Sequence, residues 1–325
     1  MMPVDSRQMV EDAKQYIRYE KDEERKIAYL TLDRPERMNA PGSGMRRLYA
    51  ELIEKANIDN DVKVLVIRAT GNDFGTGADI SRDELGNQFG VEDVSLLYEF
   101  GIDDENVKYP PVESYRHLGQ LADMFGTAKS GSRPLQQFKK ISIVEVKGYC
   151  YGWHFYQAGD ADLMICSDDA LFGHAAFRYA GWGPRMWTWI ETMGYRKFCE
   201  MLFTGRPFTA QQMDALGFVN SVVPRDQLEA ETEKFARACA LTRPTDTVVV
   251  QKTYLEIYKQ YRGEYMGSLL TGMTEALTRY MTPDSNKDVA VGAKELDKGI
   301  NNAVKDFDMM YPPEFRLSRG NRKKP

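Results

Sequence analysis

Val62-Lys63-Val64-Leu65-Val66-Ile67-Arg68, a turn at Gly71-Asn72-Asp73, and then Phe74-Gly75-Thr76-Gly77-Ala78-Asp79-Ile80 form the stretch that decides how this chain reads. Its first part is a near-continuous apolar run, the pattern of a strand buried on both faces. On its N-terminal side, residues 26–33 are rich in β-formers with partial alternation, and Arg34-Pro35 ends that run. Between the two strands, residues 44–58 carry Met45, Leu48, Leu52, Ile53 and Ala56 at helical spacing. On the C-terminal side a further buried strand runs from Ile141 to Val146 and stops at Gly148. The segment from Gly152 to Leu163 reads as a helix opened by a glycine. A short strand from Leu163 to Cys166 and a turn at Ser167-Asp168-Asp169 then lead to Leu171-Phe172-Gly173-His174. From about residue 186 the pattern is mostly helical. Strand–helix–strand alternation followed by helices predicts an α/β core with a C-terminal helical region. Residues 81–134 are long and turn-rich. A structureless loop of that length is uncommon in a compact domain, so helices and a covering role are expected there.

The bulk properties narrow the function class. With 325 residues, 42% of them apolar, the chain can bury a full core. A net charge of −5 gives no electrostatic case for nucleic acid as a partner. The four cysteines, Cys150, Cys166, Cys199 and Cys239, show neither CxxC pairing nor metal-type spacing, which suits reduced thiols in the cytoplasm. Residues 1–18 are charged and lack the apolar segment of a secretory signal. No apolar run reaches the roughly 18 residues needed to span a membrane. No G-x-G-x-x-G marks a nicotinamide site, and no His/Asp/Glu spacing marks a metal. The basic run at 319–324 reads as a solvated terminus.

Five segments in order resemble the crotonase (enoyl-CoA hydratase/isomerase) superfamily. They are Leu32-Asp33-Arg34-Pro35 with Met38-Asn39-Ala40; the Phe74–Ile80 loop; Val146-Lys147-Gly148-Tyr149 leading to Gly152; Leu202-Phe203-Thr204-Gly205-Arg206; and Ala215-Leu216-Gly217-Phe218-Val219. The resemblance implies a crotonase-like spiral of ββα units over residues 1–205, carrying the 81–134 insertion. It further implies a C-terminal helical trimerisation region over 206–325, and a homotrimer or dimer of trimers. It also implies an oxyanion hole of two backbone N–H groups, those of Ala78 and Trp153, the latter opening a helix whose dipole adds to the effect. Where this chain has Trp153 and His154, most relatives have glycines.

The family's hydratases carry two glutamates, one as base and one as acid; the matching positions here hold Tyr156 and Ala176. Alanine can do neither task, so the two-glutamate hydration mechanism is not expected. The chain has only three histidines, and two of them, His154 and His174, fall in the site-forming segment. Imidazole suits proton transfer near neutral pH, so His174, His154 and Tyr156 are the candidate catalytic groups, while His117 reads as structural. Phe177, Arg178 and Trp182 are candidate substrate-binding residues. Arg178 or Arg185 has the fork to hold a substrate carboxylate. Asp160, one turn after Tyr156, has the position to orient a side chain, and Asp162 matches a structural aspartate of the family.

The expected function is enolate stabilisation, foremost in hydrolysis of a carbon–carbon bond by a retro-Claisen step of the β-diketone type. An atypical acyl-CoA hydratase, isomerase or decarboxylase is the alternative, and a non-catalytic binding protein of the same fold is the third. The substrate is a small ketone or an acyl-CoA. No cofactor is expected, coenzyme A entering only as part of a thioester substrate.

Overall fold

The computed structural model describes residues 6–79, 110–111, 114–128, 130–178, 183, 185–277 and 300–322, and the structural statements below are made of those. Helix α1 (Ser6–Ala13) leads into β1 (Ile17–Asp22), which pairs antiparallel with β2 (Ile27–Leu32). After α2 (Ser43–Ile58), strands β3 (Val64–Ala69), β4 (Ile141–Val146), β6 (Leu163–Ser167) and β9 (Ser221–Val223) extend the sheet in parallel, giving the order β1-β2-β3-β4-β6-β9. A second sheet holds β5 (Tyr149–Tyr151), β7 (Leu171–Gly173) and β8 (Phe208–Thr209). The last strand of the main sheet lies past residue 205. The α/β core therefore continues beyond the boundary expected from the sequence, because β9 is three residues long and leaves little pattern to read.

The central strands are apolar on both faces because both are covered. Leu30, Leu65, Ile67, Val144 and Val146 face the side packed by Met45, Tyr49 and Ile53 of α2. Ile27, Val64, Val66, Ile143 and Ile165 face Leu228 and Ala236 of α8 (Leu228–Leu241). Between these lie α3 (Tyr115–Gly126), α4 (Trp153–Asp160), α5 (Met186–Met193), α6 (Tyr195–Thr204) and α7 (Ala210–Ala215). Helices α9 (Thr245–Tyr261), α10 (Glu264–Leu277) and α11 (Ile300–Met309) follow. Part of the expected cover is thus helical: α3 packs along α10, and α10 reaches α5. Residues 81–109 lie outside the described residues. No described helix is long and apolar enough to cross a membrane.

Two devices fix the loop after β3. Asn39, in the left-handed region at φ 57°, accepts the Arg34 N–H on Oδ1 (2.9 Å). Its Nδ2 donates to Thr70 O (3.0 Å) and Asp73 O (2.9 Å), so one short amide side chain ties the turn after β2 to the turn after β3. Asp73 Oδ1 in turn accepts the Tyr149 N–H (2.9 Å) and an Arg319 Nη2–H (2.7 Å). Arg319 belongs to a strap, residues 308–322, that folds back across the second sheet. Its guanidinium lies over the Tyr149 ring at 4.4 Å, its N–H donates to Tyr149 Oη (2.7 Å), and Leu317 O accepts from Tyr151 Oη (2.7 Å). The basic run is therefore not wholly a solvated terminus: Arg319 is drawn down by the carboxylates of Asp73 and Asp169.

Candidate active site

Loop 74–79 lies beside β5, and its backbone donors can be accounted for one by one. The Phe74 N–H donates to Lys147 O (2.7 Å), Gly75 to Tyr149 O (2.7 Å), Thr76 to Met38 O (3.3 Å) and Asp79 to Pro41 O (3.0 Å). The Gly77 N–H donates to His154 Nδ1 (3.1 Å). Among the described residues the Ala78 N–H alone of these six has no acceptor. Buried backbone donors nearly always find one, so this half-buried exception is the donor of the loop left open to a ligand oxygen.

The second segment comes from the turn into α4. Gly152, at φ 55° and ψ −121°, adopts a backbone that only glycine takes readily, and its N–H donates to Gly173 O (3.1 Å). That turn sets Trp153 at the head of α4, where the first N–H groups have no partner within the helix and the dipole favours negative charge. A Cβ placed on Gly77 would lie 3.5 Å from Gly152 Cα and 3.7 Å from Trp153 N, so the two segments stand at backbone contact. The Trp153 ring turns away from this seam. Its Nε1 donates to Gly131 O (2.7 Å) and it packs edge-on against Tyr49 at 4.8 Å. Trp153 thus offers its backbone to the site and its indole to the core.

One turn along α4, Tyr156 Oη lies 3.3 Å from Nε2 of the buried His174, the residue after β7. The other face of this ring looks back toward the seam: His174 Nδ1 is 3.9 Å from where a Gly152 Cβ would stand. Phe177 meets the imidazole edge-on at 4.7 Å, and Trp189 lies 5.8 Å away. Gly183 closes the far side, where an added Cβ would fall 2.7 Å from His174 Nε2 and 3.5 Å from Tyr156 Oη. A phenol and an imidazole at this separation can orient a water and pass a proton. Ala176 sits in the 3-10 turn Ala175–Arg178 that follows.

The remaining predicted residues divide. His154 is fully buried, and burial holds its imidazole down to about 3, the Asn39 backbone beside the ring acting the other way. It stays neutral and is no proton-transfer group at ordinary pH. Arg178 is turned to the strap: Nη1 donates to Asp308 (2.8 Å), Nη2 to Phe315 O (2.5 Å), and the guanidinium stacks on Tyr311 at 3.7 Å. Its charge is met by the strap, so it does not hold a substrate carboxylate. Trp182 lies outside the described residues. Arg185 is committed to Asp160, its Nε donating to Oδ1 (2.7 Å). Asp162 accepts from Ser142 and is paired with Lys252, and His117 is buried on α3.

Sequence reasoning missed the anchor beneath α4. Asp160 accepts from Arg133 through Nε (3.0 Å) and Nη2 (2.7 Å) as well as from Arg185, and Arg133 also reaches Ser268 and Glu264 of α10. Burial alone would push the Asp160 carboxyl up, but the two guanidiniums hold it at about 2. Arg133 stands 27 residues before Asp160, with nothing local to mark the pairing. Among the described residues no three His, Cys, Asp or Glu side chains converge to hold a metal ion.

Known proteins resemble this chain in sequence and fold. The Enoyl-CoA hydratase/isomerase family pattern matches residues 114–267. A putative enoyl-CoA hydratase of Mycobacterium tuberculosis is 31% identical over 228 residues, covering 70% of this chain and 69% of that protein. The hydroxycinnamoyl-CoA hydratase-lyase of Pseudomonas fluorescens is 27% identical over 216 residues, 65% of this chain and 68% of the relative. The crystal structure of a probable enoyl-CoA hydratase from Mycobacterium thermoresistibile superposes with a TM-score of 0.63 at 28% identity, covering 81% of this chain and 94% of the other.

Proposed function

Because the chain belongs to the enoyl-CoA hydratase/isomerase (crotonase) family, we propose that it holds the enolate of an acyl thioester or ketone on the N–H groups of Ala78 and Trp153 and cleaves a carbon–carbon bond. The observation that carries this reading is the unaccepted Ala78 N–H at the Gly77–Gly152 seam, flanked by the Tyr156–His174 pair, with Tyr156 and Ala176 at the positions that match the hydratases' carboxylates. The substrate is a 1,3-dicarbonyl compound, with its proximal carbonyl oxygen between the two donors. His174 takes a proton from a water oriented by Tyr156 Oη, and the water oxygen bonds to the distal carbonyl carbon. Collapse of that adduct breaks the bond to the central carbon, whose electron pair becomes the enolate in the hole. The imidazolium then returns a proton to that carbon, giving a carboxylic acid and a shortened ketone or thioester. Preorganised donors lower the barrier because they need no reorientation as charge appears.

Incubation with β-oxoacyl-CoA thioesters and cyclic 1,3-diketones in ¹⁸O-water tests this. The expected result is one ¹⁸O in the released carboxylate and loss of turnover in His174→Ala. Efficient hydration of enoyl-CoA, the activity its relatives' names carry, with no cleavage of any dicarbonyl would overturn it. We infer also that the chain works as a homotrimer or dimer of trimers. Tyr254, Ile257, Tyr258 and Tyr261 of α9 and Met266 and Leu270 of α10 are exposed apolar groups of the kind that mark subunit contacts. Sedimentation as a monomer at micromolar concentration would refute that assembly.

A further inference from the structure

Position 154, the second residue of α4, carries an imidazole, and the surroundings of that ring give it work. It lies wholly inside the protein, edge-on to Phe74 at 5.2 Å and to the Trp153 indole at 5.0 Å. Room for it exists because residue 75 is glycine: a Cβ there would fall 2.1 Å from both Cε1 and Nε2 of the ring. The Gly77 N–H donates to Nδ1 at 3.1 Å, which makes Nδ1 the unprotonated nitrogen and puts the ring proton on Nε2. No acceptor among the described residues meets Nε2 in hydrogen-bond geometry.

We propose that His154 is the positioning residue of the oxyanion hole, its Nδ1 capturing the Gly77 N–H so that the next N–H, that of Ala78, is the one left directed at substrate. This rests on the assignment of Ala78 and Trp153 as donors. The two donors come from segments some 75 residues apart, and His154 is bonded in the chain to one and hydrogen-bonded beside the other. Helix α4 thus carries one donor and, one residue later, grips the loop that carries the second. A peptide in the Gly77 conformation, at φ 104°, is otherwise free to rotate, and rotation would carry the Ala78 N–H with it. Histidine fits the task because a neutral imidazole offers an sp² acceptor on a rigid, space-filling ring.

The test uses His154→Leu, which fills the space without an acceptor, and His154→Asn, whose Oδ1 stands near the place of Nδ1. For the wild type, ¹⁵N NMR of the imidazole is expected to show an unprotonated Nδ1 and a protonated Nε2. Hydrogen exchange in the peptide 74–78 is expected to rise at least about tenfold in His154→Leu and to return toward wild type in His154→Asn. With a substrate that turns over, His154→Leu is expected to lose roughly 10- to 100-fold in kcat with KM changed less than about threefold, since displacing a donor costs somewhat less than deleting it. His154→Asn is expected to recover most of that loss. Unchanged exchange at 74–78 in a folded His154→Leu, or an Nδ1 found protonated, overturns the proposal. If the wild type cleaves no dicarbonyl, the functional reading fails while the exchange and ¹⁵N results still decide this one.

Discussion

Replacing Asp160 by asparagine removes one negative charge while keeping the side chain's shape, and its cost can be worked from the anchor it occupies. Asp160, Arg133 and Arg185 are all buried, and the carboxylate accepts three guanidinium hydrogen bonds at 2.7–3.0 Å. Removing one member of such a group leaves buried charge uncompensated, which costs about 3–5 kcal/mol. Glu264 and Ser268 still hold Arg133, so the lower end is expected. For a chain of this length the lower end corresponds to a melting temperature lower by roughly 4–5 °C. The pH dependence gives an independent check. The folded-state value of about 2 lies below the ordinary carboxylate value of 3.8, so the stabilisation is full above about pH 4 and is lost as pH falls toward 2. The shift is worth on the order of 2 kcal/mol at pH 7 and roughly half of that at pH 3. Urea unfolding of both proteins at pH 7 and pH 3 is the assay, with the gap expected to narrow by about 1 kcal/mol at the lower pH. A gap below about 1 kcal/mol at pH 7, or one that does not narrow on acidification, would refute the account.

Three further outcomes follow from the same geometry. His174→Ala is expected to lower kcat by roughly 10²- to 10⁴-fold and Tyr156→Phe by about tenfold, with both variants still folded at the assay temperature; steady-state kinetics beside a thermal melt checks both. Gly75→Ala drives a methyl into the His154 ring and is expected to destabilise by about 1–3 kcal/mol, measured by urea unfolding, because the fully buried ring has little room to yield. Arg319→Ala frees Asp73 from the strap and is expected to cost about 1 kcal/mol, with faster hydrogen exchange in residues 71–78 as the local readout.

The buried parallel strands were legible because they are covered on both faces and so read as apolar runs: residues 26–33 and 62–68 became β2 and β3, and 44–58 became α2 within a residue. Strand β1 was not read, since Ile17-Arg18-Tyr19-Glu20-Lys21-Asp22 is an edge strand whose charges keep it from pairing outward. The two segments of the seam were reached only through their resemblance to a known family; that their backbones touch at Gly77 and Gly152 is a finding of the structure. The tasks of the polar residues were not legible. His154 and Arg178 look like candidates for chemistry until their partners are known, and those partners lie 77 and 130 residues away. A titratable side chain carries no local mark of what neutralises it.

The strap sets an order on how this protein is made. Asp73, at the root of the loop that bears Ala78, meets Arg319 only after 246 further residues have been joined. At ordinary rates of synthesis that is a wait of roughly 10–50 s, during which the loop stands without its last tie. Helices α9 and α10 leave the ribosome within the same interval. A chain cut short before the strap would carry every residue of the site and still lack the brace behind it, so synthesis of the strap is itself a step in assembling the site.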